Sequence, residues 1–383
     1  MKKSHNYILD SEYIWFSHGH PDHLNPFSLR RLEGKNLLLP DHVGSRIYDD
    51  LCGKDFNIKV LPDRKWLDLT KNIRVMCITT ILQDSILLIS VGKRLFINLN
   101  DAGTRGCTRF IKKEAKKFLN VYLLSLSGYG DADMINFYNN NHFILPAAAK
   151  KNPCGESYNY HMKKWDCNYA IPFSSLHTYI REDSIKMNQF TTPIKSHYEN
   201  FDQKFGCLLP AFIKWDCEQN NFLEIRPKKN AEEIRPASDF GDNWSDELES
   251  SDVGCINDYF QKFYHLKKKF GFINFRIGNK DFNIKLSNRK EGVKIETPRN
   301  SLIFAIKNNI FDDILIGNFA KLELINVKSL YPNFNPYVVK YGDNGNARSK
   351  DELKQYFDYY KLNSVNYWMD LLKSNTEDRI RFR

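Results

Sequence analysis

The sequence predicts a layered α/β fold. Three observations predict it: short apolar runs bounded by turn residues, few helical patterns between those runs, and polar residues at the ends of several of them. Such a series is typical of helices packed on a sheet, with a site at one sheet edge. At 383 residues, the chain is long enough to bury a large core and to divide into two domains.

An N-terminal domain over residues 1–225 is predicted to hold most of the strands. Helical patterns begin at Asn25-Pro26, at the capping residue Asp41 and at Phe110, and they predict helices over 25–32, 42–51 and 110–119. The apolar runs predict strands over 13–16, 36–39, 58–61, 66–69, 73–79, 85–91, 95–99, 121–126 and 169–173.

The composition changes between Glu232 and Asp252. Eight acidic residues stand there against a single basic one, Arg235, and Pro, Ser, Gly and Asn fill much of the rest. This composition is typical of a linker or mobile loop, which we place at residues 226–254. A smaller C-terminal α+β domain over 255–383 follows, with helices predicted over 256–266, 301–308 and 351–360 and a hairpin over 272–286.

Charge and composition narrow the classes of partner. The net charge of +10 favours an anionic small-molecule substrate. Lysines occur in small groups typical of solvated helix faces, so no continuous basic surface predicts nucleic-acid binding. No apolar run is long enough to span a membrane, and Met1-Lys2-Lys3 opens no signal peptide. Scattered cysteines without a C-x-x-C pair favour a reducing cytoplasm.

A histidine-rich turn is the strongest signal for chemistry. The segment Ser17-His18-Gly19-His20-Pro21-Asp22-His23 directly follows the apolar run Tyr13–Phe16. A strand that ends in three imidazoles and a carboxylate brings nitrogen and oxygen donors to one point, which suits Zn²⁺ or Fe²⁺. A polar loop with coincidental histidines is the alternative. The segment therefore predicts a metal site.

The run His18-x-His20-x-Asp22-His23 matches the H-x-H-x-D-H signature of the metallo-β-lactamase superfamily. Within that superfamily the chain resembles the metallo-β-lactamase-like part of CMP-N-acetylneuraminate hydroxylase and its bacterial relatives. Residues 84–89 and 92–101 are similar to that family's paired strands, and Ile171-Pro172-Phe173-Ser174-Ser175 is similar to a later segment. The resemblance implies an αββα sandwich.

The resemblance also implies a set of metal ligands. His18 and His20 would bind one ion, Asp22 and His23 a second, and Asp101 would bridge the two because a carboxylate can span both cations. A turn or capping role is the alternative for Asp101.

Two more residues are candidates for the site. His177, after an apolar strand, is chosen as the family's last histidine, with a surface histidine as the alternative. Arg181 is a candidate for binding an anionic substrate, or it pairs at the surface with Glu182 and Asp183.

The chain departs from the family in three ways. No histidine occurs over residues 79–83, where Gln83 or water is left to take its place. Only 17 residues precede the motif, so we expect a shortened sheet, strands missing upstream, or an edge completed by a partner chain or a second copy. The cysteine–histidine pairs of a Rieske centre are absent, so oxygenation would need an external electron donor.

The leading hypothesis is a metal-dependent hydrolase. Two divalent ions, zinc or iron, would activate a water that attacks an ester, amide or phosphoester, and Asp22 would accept its proton. Resemblance alone suggests an anionic substrate linked to a sugar or nucleotide. The alternatives are a di-iron oxygenase with an external electron donor and a non-catalytic binding or assembly protein of the same fold.

Overall fold

Two sheets lie face to face in the first part of the chain. The computed structural model describes residues 9–104, 106–126, 128–173, 176–226, 233–345 and 347–362. A three-stranded parallel sheet has the order β1-β2-β3, and a seven-stranded sheet has the order β12-β11-β8-β7-β6-β5-β4. The strands are β1 Tyr13–Trp15, β2 Asn36–Pro40, β3 Asn57–Leu61, β4 Leu67–Asp68, β5 Ile73–Thr79, β6 Ser85–Val91, β7 Arg94–Asn100, β8 Asn120–Ser125, β11 Tyr169–Pro172 and β12 Cys207–Leu208.

Alternation along the strands explains the packing of the two sheets. Leu38 of β2 packs against the face of the seven-stranded sheet that carries Val75 and Cys77 of β5. Its neighbours Leu37 and Leu39 point the other way, into a separate core with Leu32 and Leu51. Successive side chains of a strand point to opposite faces, so both faces of each sheet need cover.

Helices cover the two outer faces. The short helices α1 (Pro26–Leu29) and α2 (Arg46–Leu51) flank the three-stranded sheet. On the far side, α3 (Thr108–Ala115) and α4 (Gly155–Trp165) pack on the seven-stranded sheet through buried residues such as Ile111 and Tyr158. The four layers run helix, sheet, sheet, helix, so the predicted layered α/β class and its αββα arrangement are confirmed.

A third sheet, of six strands, forms most of the C-terminal part. Its order is β10-β9-β18-β17-β15-β16, and the strands are β9 Phe137–Asn139, β10 His142–Phe143, β15 Phe272–Ile277, β16 Lys280–Lys285, β17 Gly292–Glu296 and β18 Lys321–Ile325. A separate hairpin joins β13 (Ile213–Asp216) to β14 (Asn221–Glu224). The turn of the β15–β16 hairpin has Gly278 and Asn279 at φ values of 55° and 65°, the left-handed region that a type I′ turn requires.

The remaining helices lie in the C-terminal part. They are α5 Ser250–Gln261, α6 Tyr264–Lys269, α7 Arg299–Lys307, α8 Asp312–Ile316, a π-helical segment Pro336–Asn344, and α9 Lys350–Leu362. Short 3₁₀ turns occur at Arg30–Leu32, Asp131–Met134, Ala147–Lys150, Ile185–Phe190, Ile194–His197, Gln203–Phe205 and Ala237–Phe240. The helix predicted over 256–266 is two helices, and β17, β18 and α4 were not predicted from the sequence.

Two sets of contacts cross the predicted domain boundaries. Strand β9 pairs with β18, so residues 137–143 add to a sheet built otherwise from residues 272–325. Within the described part of the predicted linker 226–254, Asp242 and Asp252 are buried and bond to Ser301 and Arg299. A solvated linker would leave Asp242 and Asp252 exposed to water, whereas here both are buried and bonded. The domain boundaries at residues 225 and 255 stay a proposal.

Candidate metal centre

The histidine turn begins where β1 ends. The Phe16 N–H donates to the Leu38 carbonyl at 3.1 Å and carries the β1–β2 pairing one residue further. The chain then turns tightly, since the N–H groups of His23 and Leu24 both donate to the His20 carbonyl. From the facing sheet, the Ser85 hydroxyl donates to the Ser17 carbonyl at 2.6 Å. The turn is therefore held against the start of β6.

Five of the predicted ligands lie together. His18, His23 and Asp101 each offer one ligand atom, and these three atoms lie within 4.8 Å of one another. His23 Nε2 is 3.0 Å from Asp101 Oδ2 and 3.2 Å from Asp22 Oδ2. His18 Nε2 is 2.8 Å from His20 Nδ1. The structure thus brings His18, His20, Asp22, His23 and Asp101 to one place.

The opposite nitrogens of these rings are held by other side chains. Ser17 Oγ lies 2.9 Å from His18 Nδ1 and 3.4 Å from His23 Nδ1, and it also accepts from the Asn100 amide. His20 Nε2 lies 2.7 Å from Asp312 Oδ2. Metal-binding histidines commonly have their second nitrogen bonded in this way, because the outer partner fixes the tautomer and the ring orientation.

Asp101 reaches the site through an irregular end of β7. The register between β7 and β8 shifts between Asn98 and Asn100, and Asn100 has a φ of 50°. Asparagine tolerates this left-handed conformation better than most residues do. The Asn100 N–H donates to Asn98 Oδ1 at 3.0 Å. This bend is followed directly by Asp101, which lies beside His23.

The protonation states fit a metal site. Burial, together with the nearby charges of His20 and Lys340, holds the pKa of His18 well below its usual range. Burial lowers the pKa of His23, but hydrogen bonds to Asp101 and Asp22 outweigh it and raise that pKa to about 10. For Asp22, burial acts upward and is outweighed by the hydrogen bond and charge of His23, so its pKa is lowered. A metal ion would take the place of the His23 proton.

Residues far along the chain complete the surroundings. Lys340 Nζ, from the π-helical segment, lies 3.4 Å from His20 Nε2 and 3.4 Å from Asp84 Oδ1. Asp312 comes from α8. Lys340, Asp84 and Asp312 were not predicted from the sequence as residues of the site. The one available signal was an acidic pair, Asp312-Asp313, set between apolar residues in a stretch too short for a solvated helix face.

Gln83 lies in the segment where the family has a histidine, and it contacts α9. Gln83 is buried, and its amide nitrogen lies 3.1 Å from the Tyr360 hydroxyl and 3.4 Å from the Val43 carbonyl. Both tyrosines of the α9 face, Tyr356 and Tyr360, contact it. Gln83 therefore does not replace the imidazole as a ligand, and the interpretation that it could is wrong.

His177 and Arg181 do not join the cluster. His177 Nε2 lies 3.1 Å from Asp131 Oδ1, and the hydrogen bond to Asp131, with the nearby charges of Asp131 and Asp22, raises the pKa of His177 against the effect of burial. Arg181 pairs with Asp183 at 2.7 Å and with Asp242 at 2.8 Å, and it stacks on Phe319. The Arg181 guanidinium is therefore engaged by two carboxylates of the fold, and its substrate-binding role stays a prediction. Ser174 and Ser175 lie outside the described residues.

The donor set fits a divalent ion. Imidazole nitrogens and carboxylate oxygens are the ligands that Zn²⁺ and non-haem Fe²⁺ take in proteins. His18, His23 and Asp101 would hold such an ion, with His20 and Asp22 adjacent. The bonds from Ser17 and Asp312 to the outer ring nitrogens support this assignment, since they leave the inner nitrogens directed at the cluster.

A cavity opens next to the turn. It has a volume of about 170 Å³ and shares Gly19 with the histidine turn. Its wall includes the cationic side chain of Arg46 and the mostly apolar residues Leu39, Pro40, Val43, Ile47 and Val60. A smaller neighbouring cleft is lined by Gly19, His20 and Arg46 as well. The cavity could therefore admit a small molecule to the His20 side of the cluster.

The chain is similar to solved structures at low identity. YhfI from Bacillus subtilis, a metallo-β-lactamase fold protein, is 12% identical with a TM-score of 0.34, over 55% of this chain and 79% of that one. A diphosphatase of the PhnP family is 11% identical with a TM-score of 0.31, over 59% and 76%. Zn²⁺-bound PqqB from Methylobacterium extorquens is 8% identical with a TM-score of 0.22, over 50% and 51%.

No family model matches the chain, and no curated protein matches it. Among the described residues, no helix has both the length and the apolar character that a membrane crossing requires.

Proposed function

We propose that this chain is a metal-dependent hydrolase. One observation supports the proposal most: His18, His23 and Asp101 offer ligand atoms within 4.8 Å of one another, and the more exposed carboxylate of Asp22 lies beside them. A bound divalent ion would lower the pKa of a water molecule to about 7 and so supply hydroxide at neutral pH.

Asp22 is the proposed proton acceptor. Its side chain is 63% exposed while that of His23 is 19% exposed, so Asp22 faces the solvent side of the cluster, where a substrate would enter. Its lowered pKa keeps it ionised at neutral pH. General-base catalysis by a positioned carboxylate contributes about 10²–10⁴-fold to a rate.

The proposed substrate is an anionic ester, amide or phosphoester. Support comes from the net charge of +10 and from Arg46 in the wall of the adjacent cavity. A sugar- or nucleotide-linked substrate remains part of the proposal on the resemblance alone. A cytoplasmic location, inferred from the scattered cysteines, and an edge of β1 completed by a second chain are also part of the proposal.

Metal analysis and hydrolysis assays test the proposal together. Full-length protein would be stripped with a chelator, reloaded with Zn²⁺ or Fe²⁺, and assayed with p-nitrophenyl acetate and bis(p-nitrophenyl) phosphate. We expect Asp22→Asn to lose activity by 10²-fold or more. Asp258→Asn, an exposed position on α5, is the matched control.

Each other outcome has a clear meaning. Full turnover in Asp22→Asn would refute the role of Asp22. Protein that binds iron and consumes O₂ with an electron donor, without hydrolysis, would favour the di-iron oxygenase. Protein that binds no metal would favour the non-catalytic assembly protein.

A further inference from the structure

Lys340 brings a fixed positive charge to the edge of the metal centre. Its side chain is 18% exposed and lies 3.4 Å from Asp84 Oδ1, and it is equally close to His20 Nε2. The Asp84 side chain is only 10% exposed. Charged groups this buried persist only when paired, so Asp84 and Lys340 form an ion pair that belongs to the fold.

The carboxylates of the site divide into two groups. Asp84 is engaged by Lys340, and Asp312 is engaged by His20 at 2.7 Å. Only Asp22 and Asp101 face the inner nitrogens of the cluster, both within 3.2 Å of His23 Nε2. Two carboxylates neutralise one divalent ion. A second ion would add two positive charges that Asp22 and Asp101 do not offset.

The ligand count leads to the same result. A binuclear site of the kind implied by the resemblance needs an imidazole from residues 79–83 and a late histidine. Gln83 in the first of these segments bonds to Tyr360 instead, and His177 pairs with Asp131. Three imidazoles and two carboxylates remain. With Asp84 engaged by Lys340, the residues present therefore fit one divalent ion and do not fit two.

We propose that the Lys340 ammonium takes the place of a second metal ion in this protein. The chain binds one divalent ion at His18, His23 and Asp101, and Lys340 supplies the additional positive charge on the His20 and Asp84 side. This inference rests on the metal site of the proposed function. It proposes one metal ion where the resemblance implied two.

The stoichiometry of metal binding tests the inference. Full-length protein, stripped and reloaded with Zn²⁺, would be separated from free metal and analysed by mass spectrometry of the metal. We expect about one ion per chain for the wild type and for Lys340→Arg, which keeps the charge. We expect Lys340→Met, which keeps the length and removes the charge, to approach two ions per chain, because Asp84 is then free to bind one.

A second measurement on the wild type needs no variant. Loaded with Mn²⁺, the protein should give the six-line electron paramagnetic resonance spectrum of an isolated ion. A spin-coupled pair, or two Zn²⁺ per chain, would overturn the inference while the proposed hydrolase stands. No bound ion would overturn both. One ion in the folded Lys340→Met variant would show that Lys340 does not exclude the second ion, and would also overturn the inference.

Discussion

The Nε2 atom of His20 lies 2.7 Å from Oδ2 of Asp312, although the two residues are 292 positions apart in the chain. The contact joins the histidine turn to α8 in the C-terminal part. With the Nε2–H donating to Asp312, the Nδ1 lone pair of His20 is directed toward His18. A carboxylate in this position orients the ring and raises its basicity as a ligand.

Asp312→Asn is expected to weaken metal binding. Loss of such an outer carboxylate costs about 10- to 100-fold in metal affinity in comparable sites. Competition between the protein and a chromogenic chelator would measure the dissociation constant for Zn²⁺. Asp258→Asn should bind Zn²⁺ as the wild type does. An unchanged affinity in Asp312→Asn would mean that His20 is not oriented for the metal by this contact.

The sequence predicted the parts of the fold and site that are local. The apolar runs of β5 and β6, and the seven residues from Ser17 to His23, are contained within single short segments. Asp101 was predicted from the resemblance, which implies a metal-bridging aspartate after the predicted strand over 95–99. Each of these predictions needed only the pattern of neighbouring residues or the resemblance to a known motif.

Long-range contacts account for what could not be predicted. Lys340, Asp312 and Asp84 show no motif, and they meet only after the C-terminal part packs on the histidine turn. The same holds for Gln83, whose bonds to α9 cannot be read from residues 79–83. Strands β17 and β18 were missed because their register depends on pairing with β15 and β9 rather than on a local signal.

Ser17→Ala is expected to loosen the histidine cluster. The Ser17 hydroxyl contacts His18, His23 and Asn100, and a lost partner for buried polar groups costs about 1–3 kcal/mol. Denaturant unfolding of the metal-free protein would measure this loss. Ser301→Ala, which removes a bond to Asp242 instead, should lower stability without weakening Zn²⁺ binding. Equal Zn²⁺ affinity in Ser17→Ala and the wild type would contradict an orienting role for Ser17.

Tyr360→Phe tests whether the hydrogen bond between Gln83 and Tyr360 helps to hold α9 against the rest of the protein. The Tyr360 hydroxyl lies 3.1 Å from both Gln83 Nε2 and His42 Nδ1. Removing it leaves buried polar groups without this partner, so we expect a loss of about 1–3 kcal/mol in the free energy of unfolding. Tyr331→Phe, at a side chain that is 50% exposed, is the control and should change stability little. If Tyr360→Phe and Tyr331→Phe changed the free energy of unfolding equally, the bonds of the Tyr360 hydroxyl to Gln83 and His42 would not contribute to stability.

Asp313→Asn is expected to stabilise the protein at alkaline pH. Burial, with a further contribution from Asp312, raises the pKa of Asp313 from 3.8 to about 7, although His20 acts in the opposite direction. The folded protein therefore keeps this proton up to about pH 7, while the unfolded chain releases it near pH 4. Stability falls as the pH rises between these values, and the loss is complete above pH 7. At about 1.4 kcal/mol per pKa unit, a rise from 3.8 to about 7 corresponds to a penalty of about 4 kcal/mol.

The pH dependence separates this effect from a general change in packing. Asparagine has the size of aspartate and no charge, so Asp313→Asn should exceed the wild type in stability at pH 8, and the difference should shrink as the pH is lowered to 5. Denaturant unfolding across this range would measure both curves, with Asp258→Asn as a control that follows the wild type. A constant difference at every pH would show that the carboxyl of Asp313 does not titrate in this range. The neighbouring Asp312 is shifted in the opposite direction, because burial, which raises its pKa, is outweighed by the hydrogen bond and charge of His20. Asp312→Asn should therefore not show the gain in stability at pH 8 that is expected of Asp313→Asn.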